Sequence, residues 1–571
     1  MDIVIRNGTI IDGSGGSPFQ GDVGITGQHI ARVGEVPERG RYEIDASGAI
    51  VTPGFVDIHT HYDGQVTWGS HLSPSSSHGV TTVLMGNCGV GFAPCRPDDR
   101  DRLIRLMEGV EDIPQVVMAE GLPWNWESFP EYLDALQQRQ ADVDFATQVP
   151  HAAVRVHVMG QRGADREAAS AAELERMTEL VAEGVRAGAF GVSTSRTLAH
   201  RTADGDLAPT IGAGEAELMA LAAGLKRADG GVFQLVPSSQ EGENPDAEMA
   251  LFRRIVQASG GRPLSFSLLH TVQFPEHMPR TLALLGEAGA AGLPIRAQVF
   301  TRGIGVLMGL ELSMHPFRFH PSYREIEGLP LAERVARLRD PHVRRRILSE
   351  QPDTNNAIYA YFMAQTAELF PLGNPPNYEP APDERLGPQA AQRGLSVDEL
   401  AYDLLLQDEG HGLLLLPASN YVGHTLNHSY DMLAHPDTLV ALGDGGAHYG
   451  TICDSSYSTH LLAYWTRDRS NGPRFSLPWA VHALSQRNAQ AVGFTDRGLL
   501  AAGLRADINI IDYDALCLHA PRMVFDLPAG GGRLVQDASG YLMTIKSGEV
   551  TYRDGVATGA LPGRLLRRRS E

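Results

Sequence analysis

Two histidines separated by a single residue follow an apolar run near the N-terminus. His59 and His61 come directly after residues 53–58, which begin with a Pro-Gly turn and continue as an apolar stretch. In a β-strand, residues two apart point to the same face, so the two imidazoles would project together. Neutral imidazole is a good zinc ligand. The pattern predicts a metal site, the alternative being two ordinary polar residues at a strand end.

Three more residue types with metal chemistry end apolar runs further along the chain. Cys88 follows residues 81–85 within a glycine-rich loop, His270 follows residues 264–269, and Asp444 lies between two glycines after residues 438–442. A thiolate is a strong zinc ligand, and a carboxylate can contact a metal and take a proton from water. The alternatives are a small buried cysteine, a core histidine and an aspartate that caps a turn. His448 is a further candidate site residue, which either supports the metal ligands from behind or faces the substrate.

Eight short apolar runs alternate with helical patterns, which indicates βα units around a parallel sheet. We expect an α/β fold, a (β/α)₈ TIM-like barrel, whose strand ends bring the candidate ligands to one mouth. An open doubly wound sheet is the alternative, but the first strand lacks the usual G-x-G-x-x-G turn. The runs are residues 54–59, 81–85, 144–149, 189–193, 231–236, 264–269, 294–299 and 438–442.

The two ends of the chain both consist of short strands separated by turns. We therefore expect residues 1–50 and 491–571 to form one small β-sandwich, with the barrel at residues 51–490. Residues 302–436, between barrel strands seven and eight, are too long for one crossover. They are expected to form an insertion, either a packing subdomain or a lid over the barrel mouth.

Composition excludes several other classes of function. The chain has 571 residues, 43% of them hydrophobic, and a net charge of −20, which disfavours binding to nucleic acid or to an anionic membrane. Four cysteines in a chain of this length do not make a disulfide framework. No signal peptide or membrane span is recognisable, so the expected location is cytoplasmic. The sequence leaves open whether the chain forms a homo-oligomer.

Several motifs along nearly the whole chain resemble the amidohydrolase superfamily and its N-acyl-D-amino-acid deacylase (D-aminoacylase) branch. The resemblance implies a (β/α)₈ barrel with a terminal β-sandwich and zinc at the barrel mouth. By position, His59, His61, Cys88, His270 and Asp444 match metal ligands, with Asp444 also the general base. The motifs are NGTIIDGSG, GFVDIHTHYD, GVTTVLMGNCGVGFAP, MEGVEDIP, GAFGVSTS, ALGDGGAH, DRGLLAAGLRADINIID and GRLLR.

The chain departs from the branch at two places. The branch carries a histidine at the end of strand five, whereas residues 231–240 contain no His, Cys or Asp. The number of bound zinc ions, one or two, is therefore left open. The bridging lysine that other superfamily members carry on strand four is also missing from residues 189–193. No lysine follows His270 to hold a substrate carboxylate, which leaves Arg196 and Arg302 as the charged substrate-binding candidates, each against the alternative of a structural arginine.

These observations predict a zinc-dependent hydrolase acting on a non-peptide amide bond. The expected substrate is a small N-acyl-D-amino acid or a related N-acyl compound. A first alternative is the same metal site acting on a cyclic imide or a lactone, or in acyl transfer. A second is a catalytically silent barrel that serves as a binding or scaffold protein.

Overall fold

The computed structural model describes residues 1–238, 242–354 and 357–568, with the main chain alone at 357 and 358. Strands from both ends of the chain belong to one sheet of nine strands. Ile50–Pro53 joins them, because it pairs parallel with Ile3–Ile10 on one edge and antiparallel with Ile508–Ile511 on the other. The nine strands are Ile3–Ile10, Phe19–Thr26, His29–Gly34, Tyr42–Asp45, Ile50–Pro53, Ile508–Ile511, Tyr541–Lys546, Glu549–Arg553 and Val556–Ala557.

The strands from the two chain ends form one continuously bonded sheet, since Ile50–Pro53 is paired on both edges, and the sandwich stays a prediction. Its buried face includes Ile5, Val51 and Ile508. The hairpin between Tyr541–Lys546 and Glu549–Arg553 turns at Ser547-Gly548, both at positive φ (49° and 80°), which matches the right-handed twist of the strands. Two short hairpins complete the C-terminal part: Cys517–Leu518 with Ala538–Ser539, and Arg522–Val524 with Arg533–Val535.

Eight parallel strands follow one another in chain order, and each overlaps one of the eight apolar runs. Neighbouring strands pair in parallel throughout the series, and an isolated parallel bridge between Thr60 and Gly445 joins the end of the last to the end of the first. The third strand is interrupted at Gln148. The strands are Phe55–Asp57, Val80–Met85, Asp144–Thr147 with Val149–Pro150, Gly191–Ser195, Val232–Val236, Leu264–Ser267, Ile295–Val299 and Thr438–Val440.

Helices connect these strands and cover them with apolar faces. Ala171–Ala187 shows why such a segment is helical: Ser170 and Glu173 form a capping box at its start, and Met177, Val181 and Val185 recur on the buried face. The helices around the parallel strands are Gln65–Trp68, Arg100–Glu111, Gln115–Gly121, Phe129–Gln137, His151–Met159, Gln161–Ala164, Ala171–Ala187, Glu215–Ala228, Pro245–Ala258, His277–Ala290, Asn427–Ala434, Tyr457–Ala463, Leu477–Leu484 and Gln486–Val492. None of the described helices is both long and apolar enough to cross a membrane.

The long insertion has a small core of its own. An antiparallel sheet of Ile304–Met308, Leu414–Ser419 and Phe370–Pro371 packs with its helices through an apolar cluster that includes Met308 and Leu400. The insertion was expected to extend to residue 436. The helix Asn427–Ala434 lies within that range but packs with the parallel strands, because its Met432 and Leu433 belong to their core. The role of a lid stays a prediction. The helices of the insertion are Pro321–Arg324, Leu331–Leu338, Pro341–Ser349, Ala357–Met363, Leu386–Arg393 and Val397–Leu405.

Candidate metal centre

The first parallel strand leads directly into the His-x-His pair. His59 and His61 are each 1% exposed, and their ring centroids lie 5.5 Å apart in an edge-to-face arrangement. The intervening Thr60 turns the other way and donates its hydroxyl to the carbonyl of Leu84. Alternation along the extended chain therefore brings both imidazoles to one place, as the sequence spacing requires.

Cys88 reaches the same place from the end of the second strand. Its φ of 56° lies in the left-handed region, and the neighbouring Gly89 packs so closely that a Cβ there would lie 2.8 Å from the Cα of Thr194. The Cys88 Sγ lies 3.3 Å from His59 Nε2, and ligand atoms of His59, His61 and Cys88 all fall within 4.8 Å of one another. Burial raises the pKa of the Cys88 thiol to about 12, an effect that a bound cation would oppose.

Asp444 comes from the loop after the eighth strand and lies beside this group. Its Oδ1 is 3.4 Å from His59 Nε2 and 3.5 Å from His61 Nε2, and its side chain is 22% exposed. Burial opposes ionisation, but a hydrogen bond with His61 and the nearby imidazoles outweigh it and hold the pKa of Asp444 below its usual range. A carboxylate at this position can contact a cation and exchange a proton with water.

Two side chains behind the histidines went unassigned at the sequence level. Gln298, on the seventh strand, has its Oε1 2.5 Å from His59 Nδ1 and donates its amide to Ser265. Glu111, the last residue of Arg100–Glu111, lies 3.3 Å from His61 Nδ1. An acceptor at Nδ1, as Gln298 is for His59, or a nearby carboxylate, as Glu111 is for His61, favours the tautomer whose Nε2 is free to bind a metal. Glu111 lies in the motif MEGVEDIP, which was the sequence feature that could have identified it as a site residue.

His448 and Glu111 form a contact on the outer side of the centre. His448 Nε2 lies 3.5 Å from the Glu111 carboxylate, and its backbone amide donates to the Glu111 carbonyl. His200, after the fourth strand, is another histidine that sequence reasoning missed. Burial lowers the pKa of His200 to about 3, with further contributions from His61 and His448, so this imidazole is neutral. The position of His200 near the centre depends on the conformation of its loop, which no local sequence pattern predicts.

The structure does not bring His270 into the group formed by His59, His61 and Cys88. The sixth strand ends at Ser267, and the backbone amide of His270 donates to Asn420 Oδ1. The His270 Nε2 lies 3.2 Å from the carbonyl oxygen of Pro275, and its ring contacts that of His428 at 4.6 Å between centroids. Among the described residues His270 thus lies outside the group of three close ligand atoms, and its role as a metal ligand stays a prediction.

The two arginines considered for substrate binding are both paired with carboxylates. Arg196 binds Glu248, which also accepts a hydrogen bond from the Ser238 hydroxyl. Arg302 is 1% exposed, lies 2.9 Å from Asp454 and stacks 3.8 Å above the Tyr378 ring. Buried charges need such partners. Both guanidinium groups therefore already have a carboxylate partner in this arrangement, and their role in substrate binding stays a prediction.

Gln234 occupies the fifth-strand position where the sequence offers no histidine. Its Oε1 accepts a hydrogen bond of 3.0 Å from the backbone amide of Cys88. A carboxamide is a weak zinc ligand compared with imidazole or thiolate. Gln234 thus supports the loop of Cys88 rather than adding a strong donor of its own.

Comparisons with known proteins are consistent across sequence and fold. A model of the amidohydrolase family matches residues 42–552. An uncharacterised protein of Mycobacterium tuberculosis (strain ATCC 25618 / H37Rv) is 27% identical over 547 residues, 90% of this chain and 84% of that protein. D-aminoacylase of Alcaligenes xylosoxydans xylosoxydans is 35% identical over 195 residues, 34% of this chain and 37% of that enzyme. The structure of N-acyl-D-glutamate deacylase from Bordetella bronchiseptica, complexed with zinc and a phosphonate inhibitor, covers 100% of both chains with a TM-score of 0.64 and 22% identity, which shows a shared fold.

Proposed function

Because the chain belongs to the amidohydrolase family, a family of hydrolytic enzymes, we propose that it cleaves the amide C–N bond of an N-acyl compound at a bound zinc ion. The expected resemblance to the N-acyl-D-amino-acid deacylase branch is confirmed. Two of its relatives, D-aminoacylase and the zinc-bound N-acyl-D-glutamate deacylase, are named for the hydrolysis of such amides. These relatives support amide hydrolysis as the reaction.

The convergence of His59, His61, Cys88 and Asp444 is the observation that carries this proposal. The first three offer two imidazoles and a thiol within 4.8 Å, a donor set that suits zinc. The Asp444 carboxylate lies 3.4 and 3.5 Å from the two imidazoles, which supports its proposed role in proton transfer. Since Gln234 adds no strong donor, we propose one tightly bound ion per chain.

The zinc ion would supply Lewis acidity, polarising the acyl carbonyl and making water a better nucleophile. Asp444 is placed to accept a proton from the attacking water as the C–O bond forms. The same carboxyl group then gives that proton to the leaving nitrogen as the C–N bond breaks, so the products are a carboxylic acid and an amine. Gln298 would orient the imidazole of His59 through its hydrogen bond, and the Glu111 carboxylate, 3.3 Å from Nδ1 of His61, would favour the Nδ1–H tautomer there.

Metal analysis combined with an Asp444→Asn variant tests the proposal. We expect about one zinc per chain in both proteins, because His59, His61 and Cys88 remain. Loss of the proton acceptor should reduce kcat on N-acyl substrates by at least about 100-fold. Asp383→Asn, at an exposed position in the insertion, is the matched control and should retain full activity. Absence of bound zinc, or an Asp444→Asn enzyme with a normal rate, would refute the proposal.

A further inference from the structure

Four buried, uncharged side chains near the fourth, fifth and sixth parallel strands have a polar atom without a hydrogen-bond partner among the described residues. Each of them is at most 2% exposed. Leaving such an atom unpaired costs free energy comparable to a lost hydrogen bond, so water or a ligand is expected to satisfy it. The atoms are Ser195 Oγ, Gln234 Nε2, His270 Nδ1 and Asn420 Nδ2.

Gln234 and Ser195 lie on neighbouring strands next to the loop of Cys88. Gln234 is fixed there because its Oε1 accepts from the amide of Cys88. On the adjoining strand, Ser193 pairs in register with Gln234, and its hydroxyl accepts from the amide of Gly89. Ser195 lies on the same face as Ser193, one step nearer the carboxyl end of the strand.

His270 and Asn420 lie past the end of the sixth strand, which pairs in parallel with the strand of Gln234. Asn420 Oδ1 accepts from the His270 amide at 2.8 Å, which leaves the Asn420 Nδ2 group unpaired. The ring of His270 is held by the Pro275 carbonyl at Nε2, which leaves Nδ1 unpaired. Each of these four unpaired atoms thus belongs to a neutral donor or acceptor group.

The charged groups near the strand ends, unlike these neutral groups, already have charged or ionisable neighbours. Arg196 and Arg302 are already paired with Glu248 and Asp454, whereas the Glu111 carboxylate lies close to His61 of the centre. A substrate carboxylate bound here would lose its hydration and would have to share a guanidinium with Glu248 or Asp454, which is costly. A neutral amide, ester or hydroxyl group would instead pair with the unsatisfied side chains.

We infer, on the premise of the proposed amide hydrolysis, that the preferred substrate is an N-acyl compound carrying an uncharged polar group where an N-acyl amino acid has its carboxylate. Ser195, Gln234, His270 and Asn420 recognise that group through hydrogen bonds. The specificity thus differs from that of an enzyme for free N-acyl amino acids.

A matched substrate pair tests the inference on the full-length, zinc-loaded protein. N-acetyl-D-leucine is compared with N-acetyl-D-leucinamide, together with both L-enantiomers, by release of acetate. We expect kcat/KM to be at least about tenfold higher for the amide of the preferred enantiomer, since an unpaired buried charge costs more than a paired neutral group. Equal or better hydrolysis of the free acid would overturn the inference while leaving amide hydrolysis intact. If zinc is bound but no acetate is released from either compound, the proposed function fails and this inference fails with it.

Substitution of the recognising residues provides a second measurement. Ser195→Ala and Asn420→Ala should each lower kcat/KM on the amide by about 2- to 10-fold, mainly through KM, because each removes one neutral hydrogen bond. Zinc content should stay unchanged in both. Ser238→Ala is the matched control, because its hydroxyl already donates to Glu248. Unchanged kinetics in both variants would overturn the assigned recognition surface.

Discussion

The buried carboxylate of Glu111 lies between the imidazoles of His61 and His448. Removing it in Glu111→Ala deprives His61 Nδ1 of its neighbouring acceptor, so the ring is no longer held with Nε2 towards the metal. We expect zinc to bind about 10- to 100-fold more weakly, the usual effect of losing such a partner. Competition with a chromophoric chelator measures this. Glu111→Gln keeps an acceptor oxygen and should lose less affinity.

Glu120→Ala is the control for this comparison, since Glu120 is exposed on the neighbouring helix Gln115–Gly121. It should bind zinc like the unaltered protein. Equal zinc affinity in Glu111→Ala and Glu120→Ala would show that Glu111 does not position His61.

Single residues were predictable where a local pattern carried the chemistry. His59 and His61 follow from strand alternation, and Asp444 follows from its place after the last apolar run. Gln298 and Glu111 could not be derived in this way, because their contacts with the histidines join distant parts of the chain. The pairing of Arg196 with Glu248 was hidden for the same reason, since the sequence gives a charge but not its partner.

At the scale of elements, the apolar runs located all eight parallel strands, because each strand is buried and short. The end of the insertion was harder to locate. Asn427–Ala434 has an amphipathic pattern that fits either core, and only its packing assigns it to the parallel strands. The strand order of the terminal sheet could not be predicted from the sequence either, because the pairing of residue 50 with residue 511 joins distant parts of the chain.

Two helices and one strand are tied together by a buried cluster around Glu217. Its carboxylate binds Arg155 and lies 2.8 Å from His151, whose other ring nitrogen lies 2.7 Å from the Thr194 hydroxyl. Breaking this cluster in Glu217→Gln leaves the buried Arg155 uncompensated. We expect the free energy of unfolding at pH 7 to fall by about 3–5 kcal/mol, measured by urea titration.

The same cluster predicts a pH dependence of stability. Burial opposes ionisation of Glu217, but His151 and Arg155 outweigh it and lower its pKa to about 2, against about 4.5 in the unfolded chain. A carboxylate with a lowered pKa stabilises the fold above the unfolded pKa and loses that contribution as the pH falls towards the folded pKa. The difference between Glu217→Gln and the unaltered protein should therefore shrink below about pH 4.5. Glu215→Gln, at an exposed position on the same helix, should change stability little at any pH; a pH-independent Glu217→Gln difference would contradict the assignment.

The whole molecule depends on contacts between the terminal sheet and the parallel strands. Sequence patterns indicated that both chain ends form one β-rich unit, but not how that unit is fixed to the rest. The structure shows an ion cluster at this junction. Asp144, on the third parallel strand, accepts from Arg497 at 2.7 Å and lies 2.8 Å from Lys546 of the sheet. Lys546 also donates to Asp507 at 2.8 Å.

Lys546 is one of only two lysines in the chain, and it is completely buried. Lys546→Met keeps the apolar stem but removes the ammonium. Among the described residues, Asp144 then keeps Arg497 as its charged partner, and Asp507 loses its closest one. Removing one partner from a buried ionic cluster should lower the free energy of unfolding by about 3–5 kcal/mol. Zinc affinity should not change, because none of the proposed metal ligands contacts this cluster. Lys226→Met, at the other lysine, is the natural control, since Lys226 is exposed on Glu215–Ala228. If both variants unfold at the same urea concentration as the unaltered protein, the ion cluster does not hold the sheet to the parallel strands.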